Sequence, residues 1–144
     1  MKPNVMLTIT SLLSILLMTF HLADDIHRGF ASGGVVNMIG VLILVVWLYG
    51  TLVLAERLSG YIIMLVASLL ASGVPVIHMT GSGLVGPKIV EPGGGFFFVW
   101  TLLALGLTSI FAFVLSAHAL WSLLRGKSRQ SKNQNMERPA RDAR

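Results

Sequence analysis

The chain has 144 residues, of which 54% are hydrophobic and only 12% are charged, and its mean hydropathy is +0.78. A soluble domain usually carries about 25% charged residues, and a chain this short has too little interior to bury so much apolar surface. Composition therefore excludes soluble globular and disordered proteins, and the lack of cysteine excludes a disulfide-rich fold. What remains is an integral membrane protein.

Four apolar stretches follow one another along the chain, and a helix needs about 20 residues to cross the hydrocarbon core of a bilayer. The sequence predicts helices at about residues 5–28, 35–57, 61–79 and 96–124. None of the stretches shows the alternation of a membrane β-strand. We therefore expect an all-α integral membrane protein in which residues 1–124 form a four-helix transmembrane bundle.

Basic residues are distributed unevenly between the two ends of the predicted bundle. The segment 125–144 has seven basic and two acidic residues, so it carries the whole net charge of +5, and its composition predicts a disordered tail. Lys2 and Arg57 lie on the same side as this tail, whereas Arg28 and Lys88 lie on the other side. By the positive-inside rule both termini are expected in the cytoplasm, with the bundle in a bacterial inner membrane.

Ionisable side chains at membrane depth are costly and need a partner or a function. His21, Asp24 and Asp25 lie within about one helical turn of each other near the end of the first helix. His78 lies about as far along the third helix as His21 does along the first, and the ends of these two helices should lie on the same side of the membrane. Imidazole and carboxylate groups together are ligands for Zn²⁺, Mn²⁺ or Fe²⁺, so these four residues are a candidate metal site.

Two other interpretations of the same residues stay open at this stage. Asp24 could pair with Arg28, four residues later, while the histidines lie at the interface and bind water. Alternatively, the cluster could take part in proton or quinone chemistry. No established metal-binding or catalytic motif is present, so the sequence assigns no catalytic residue.

The function expected from sequence is therefore broad. A small membrane protein with a basic tail is expected to act as a non-enzymatic accessory, assembly or binding subunit. Its partners would be the bilayer, anionic lipid headgroups and another membrane protein or a second copy of the chain. The high pI belongs to the tail, so no nucleic-acid partner is expected. The alternative is a metal-binding membrane enzyme or metal-handling protein that uses the His/Asp cluster.

Overall fold

The computed structural model describes residues 3–29, 34–80 and 95–142, and this part of the chain contains four helices and no strand. The helices are α1 (Pro3–His27), α2 (Val35–Leu52), α3 (Leu58–Thr80) and α4 (Gly95–Asp142). The all-helical architecture predicted from the sequence is therefore confirmed.

Three of the four helices are long and apolar enough to cross a membrane. The qualifying segments are Asn4–His27, Leu58–His78 and Gly95–Gly126, whereas the apolar part of α2, Asn37–Leu52, is shorter. α2 ends at Leu52, earlier than the sequence predicts, because the chain turns between residues 53 and 57. In this turn Glu56 adopts a positive φ of 64°, which a continuing helix does not allow.

Most of the core lies between α1, α3 and α4, and α2 packs against α1 and α3 and adds Trp47 to the core. Large side chains from the core of the bundle, such as Trp47 and Leu105, are fully buried, while most apolar side chains of α2 are exposed. α3 and α4 approach closely where Gly106 faces Pro75, and a Cβ at Gly106 would lie 2.9 Å from the proline ring. The exposed side chains on the outside of the bundle are largely apolar, as contact with lipid requires.

α4 continues as a helix to Asp142, well beyond residue 124, where the sequence ends the membrane domain and predicts a disordered tail. A helix that already exists extends without a new nucleation step, and the Lys, Arg, Gln, Met and Ala residues of this segment are good helix formers. The side chains beyond residue 126 lie outside the described part of the chain, as does the glycine-rich connection 81–94. The division into a membrane domain and a tail stays a prediction.

Candidate metal centre

Three of the four predicted site residues come together where α1 and α3 end and α4 begins, which we call the site end of the bundle. His21 and Asp25 are one turn apart on α1, and His78 lies in the last turn of α3. His21 is only 3% exposed and His78 only 7%, and the Asp25 side chain is 16% exposed. Two imidazoles and a carboxylate are therefore gathered in an environment that contains little water.

The separations between the Asp25 carboxylate and the two imidazoles are close to those between ligands of one metal ion and longer than ordinary hydrogen bonds. Asp25 Oδ2 lies 3.4 Å from His21 Nε2 and 3.6 Å from His78 Nε2, and one donor atom from each residue lies within 4.8 Å of the others. Hydrogen bonds between nitrogen and oxygen are usually about 2.7–3.2 Å long. Ligands about 2.0–2.2 Å from a tetrahedral metal are separated from each other by about 3.4 Å. The observed separations therefore leave room for an ion between the groups.

The hydrogen bonds around the cluster orient His78 as a ligand. His78 Nδ1 lies 2.9 Å from the carbonyl oxygen of Val74, so the ring proton belongs on Nδ1 and the Nε2 lone pair is available. Three buried atoms of the cluster have no hydrogen-bond partner in the described chain, namely His21 Nδ1, Asp25 Oδ1 and His78 Nε2. Unpartnered buried polar atoms are costly, and a cation between the groups would give His78 Nε2, which faces Asp25 Oδ2, the partner that it lacks.

Asp24, the fourth predicted ligand, lies outside the cluster. Its Oδ2 accepts a hydrogen bond of 2.7 Å from Arg28 Nε, one turn further along α1. The Asp24–Arg28 pair expected in the interpretation without a metal is therefore present. The same interpretation places the histidines at the interface, bound to water, whereas His21 and His78 are buried between the helices. The neighbouring carboxylates therefore have different partners: Asp24 pairs with Arg28, and Asp25 lies beside the two histidines.

Phe98 covers the cluster from α4, and the sequence interpretation missed this role. Its ring is fully buried and its centroid lies 5.6 Å from those of both histidine rings, which are themselves 4.7 Å apart. The Arg28 guanidinium lies 5.7 Å from the same ring. The sequence places Phe98 at the start of the fourth helix and hence near this depth, but it stands in the aromatic triplet 96–98, a pattern that is typical of the membrane interface.

A cleft lies beside the cluster, between α1, α2 and α3, and has a volume of about 280 Å³. All three cluster residues line it, and the rest of its wall is apolar. Sites for small molecules usually measure about 300–1,000 Å³ and are mostly apolar with a few polar groups. The cluster therefore lies at the polar end of a cleft of nearly that size.

Polar residues at the opposite end of the bundle form a separate group. Asn4 donates a hydrogen bond of 2.8 Å from Nδ2 to Glu56 Oε1, and its Oδ1 accepts one of 3.2 Å from the Tyr61 hydroxyl. His118 is exposed. The carboxylate of Glu56 is thus used to join the start of α1 to the turn before α3.

Comparisons with family models, with curated proteins and with solved structures found no match for this chain. In the described residues the fold is all-helical, and three of its helices are long and apolar enough to cross a membrane.

Proposed function

We propose that this protein is a membrane-embedded metal-binding protein whose ligands are His21, Asp25 and His78. The observation that carries the proposal is the arrangement of two buried imidazoles around one partly buried carboxylate. Asp25 Oδ2 lies 3.4 Å from His21 Nε2 and 3.6 Å from His78 Nε2, and His78 Nε2 has no hydrogen-bond partner. Asp25 is partly buried and its Oδ1 has no hydrogen-bond partner in the described chain, which is costly unless a cation compensates the charge. Asp24 is left out of the ligand set because Arg28 already compensates its charge.

The ligand types favour a borderline divalent ion such as Zn²⁺, Mn²⁺ or Fe²⁺. Three protein ligands leave a coordination position open, as reactive metal sites do, whereas structural zinc sites usually have four protein ligands. A metal held there would act as a Lewis acid or lower the pKa of a bound water. The chain's own contribution is to orient His78 through Val74, to hold the carboxylate, and to exclude water with Phe98.

The proposal includes a topology in which all four helices cross the membrane and both termini are cytoplasmic. α2 is 18 residues long and spans about 27 Å, close to the hydrocarbon thickness of about 30 Å. The basic residues Lys2, Arg57 and those of the 125–144 segment would then lie inside, which fits a bacterial inner membrane. The chain has no cysteine, so Lys88→Cys and Ser128→Cys can be labelled singly with an impermeant maleimide in intact cells. Labelling of position 128 but not of position 88 would contradict this orientation.

Metal content of the purified protein tests the function. The full chain, prepared in mild detergent without chelator or polyhistidine tag, should bind about one Zn²⁺, Mn²⁺ or Fe²⁺ per chain in elemental mass spectrometry. His78→Ala should lose most of that metal and keep its helix content, because one of three ligands is gone. His27→Ala is the matched control, since His27 is exposed on the same turn of α1 as the cluster. Folded wild-type protein that refuses all three metals would contradict the proposal.

A second candidate is the non-enzymatic accessory or assembly subunit expected from the sequence. The observation that favours it is the net charge of +5 concentrated in residues 125–144. The first residue of this segment, Arg125, has its guanidinium 4.6 Å from the Trp121 ring. Basic residues near an anionic bilayer contribute about 1 kcal/mol each to binding, and the same segment could hold a membrane-protein partner or a second copy. Truncation after Gly126 should then release co-purifying anionic lipid or shift the native complex to a smaller size. If neither changes, the tail has no such role.

A further inference from the structure

The cleft beside the metal-binding cluster is polar at one end and apolar along the rest of its length. His21, Asp25 and His78 line it at the site end, and Trp47 closes it towards the middle of the bundle. Along α3 it runs from His78 to Ala67, which is about 16 Å of helix. A ligand that fills it must therefore combine a polar head with an apolar body.

Small residues on the facing helices create this space. Ala67 and Ala71 of α3 and Gly40 of α2 all line the cleft. The hydroxyl groups that join α2 to α1 lie further along, at Ser11 and Thr51, so they do not fill the cleft. Two other lining residues, Ile43 and Leu70, are 44% and 59% exposed on the outside of the bundle. The cleft is thus bordered by lipid-facing residues between α2 and α3.

The charge of the proposed metal centre favours a ligand with an anionic head group. A divalent ion held by one carboxylate and two neutral imidazoles leaves one uncompensated positive charge in a buried site. An anionic oxygen ligand at the open coordination position would neutralise that charge, whereas a neutral ligand would not. Carboxylate oxygen is also a normal ligand for the borderline divalent metals. A single negative charge on the head therefore fits the site best.

We propose that the cleft binds a fatty-acid carboxylate taken from the bilayer. The carboxylate completes the coordination of the metal held by His21, Asp25 and His78, and the acyl chain lies along α3 towards Trp47. Entry is lateral, between Ile43 of α2 and Leu70 of α3, so the ligand need not leave the membrane. This inference rests on the proposed metal-binding function and specifies its ligand class.

Fluorescence of Trp47 reports on the cleft, because this residue is 1% exposed and lines the cavity. Trp100 and Trp121 are 60% and 59% exposed and would respond to any lipid, so both are changed to Phe in the reporter protein. The full-length reporter in phosphatidylcholine nanodiscs is loaded with Zn²⁺ and titrated with lauric acid brominated at its terminal carbon, because bromine quenches indole fluorescence on contact. Bound zinc is measured in every sample.

The brominated acid should quench Trp47 saturably, at a concentration about tenfold lower than its methyl ester, which has the same chain and no charge. The preference should disappear without Zn²⁺ and in the His78→Ala variant. Ala71→Leu should abolish quenching by filling the cleft, while Leu69→Phe, which enlarges an exposed residue of the same helix, should not.

The outcomes separate this inference from the metal proposal. Zinc-loaded protein in which the acid fails to quench Trp47, or in which acid and ester quench equally, would overturn the fatty-acid ligand and leave metal binding intact. If the folded protein does not bind zinc, both the metal proposal and the carboxylate coordination that rests on it are overturned. The comparison of acid with ester uses the same protein, so the result stands even where Ala71→Leu fails to fold.

Discussion

Ser11 should be the side chain on which the docking of α2 depends most. The Trp47 indole Nε1 donates to Ser11 Oγ at 2.8 Å, and the Ser11 and Thr51 hydroxyls are hydrogen-bonded at 2.8 Å. The Thr51 hydroxyl in turn donates to the Trp47 carbonyl oxygen at 2.9 Å, so Ser11 donates to Thr51 and the three groups form a closed ring. Ser11 and Thr51 are 0% and 1% exposed, so water cannot replace a lost partner.

The expected magnitude follows from the bonds that each variant loses. Interhelical hydrogen bonds in membranes average about 0.6 kcal/mol and reach about 1.7 kcal/mol. Ser11→Ala removes two of them and leaves the buried indole N–H of Trp47 without an acceptor. The free energy of unfolding should therefore fall by about 1–3 kcal/mol. Thr51→Val removes one interhelical hydrogen bond and leaves the Trp47–Ser11 bond in place, so the free energy of unfolding should fall by only about 0.6 kcal/mol.

Equilibrium unfolding by sodium dodecyl sulfate in mixed micelles, followed by tryptophan fluorescence, measures these differences. Ser72→Ala is the matched control, because the Ser72 hydroxyl donates only to the Leu69 carbonyl of its own helix, at 2.7 Å. Its free energy of unfolding should stay within about 0.5 kcal/mol of the wild type. A Ser11→Ala protein as stable as Ser72→Ala would refute the reasoning, since the ring would then not hold α2.

Two further paired substitutions test the site and the packing. Asp25→Asn should weaken Zn²⁺ binding by more than about a hundredfold in a chelator competition titration, because a direct ligand matters more than the neighbours that orient it. Asp24→Asn should bind Zn²⁺ like the wild type, and equal losses in the two variants would count against the ligand assignment. Gly106→Ala should cost about 1–3 kcal/mol of stability in the same unfolding assay, since its Cβ would press on the Pro75 ring. Gly73→Ala, where a Cβ meets nothing within 4 Å, should gain about 0.5–1 kcal/mol, and similar stabilities for the two alanine variants would contradict the close approach of α3 and α4.

The helices were predictable because hydropathy and length decide them. Residues 5–28 and 61–79 were expected to be helical, and α1 and α3 contain nearly the same residues. The early end of α2 was not predictable, because four of the five residues in the segment 53–57 are good helix formers and its turn depends on Glu56 adopting a positive φ. On α4, Ala104, Thr108, Ala112 and Ser116 recur at every fourth residue, a spacing that is typical of a face packed against another helix. Only Ala112 and Ser116 of these four are buried, because the packed face also includes the bulkier Leu105.

The sequence predicts which residues lie near the site, but not which of the two carboxylates joins the histidines. The equal depth of His21 and His78 follows from counting residues along antiparallel helices, and it brought the two imidazoles together correctly. Asp24 and Asp25 follow His21 by three and four residues, so both lie near its face of α1. Which carboxylate joins the histidines depends on the rotation of α1 against α3, a property of tertiary packing that the sequence pattern does not contain.

The measurement that tests the metal centre most directly is X-ray absorption at the zinc edge of the zinc-loaded full-length protein. We predict a first shell of only nitrogen and oxygen ligands at about 2.0–2.2 Å, with outer-shell scattering from two imidazoles. His78→Ala should reduce that outer-shell scattering to one imidazole or lose the zinc. Zinc with no imidazole scattering, or a shell of six water-like oxygens, would contradict a centre built from His21, Asp25 and His78.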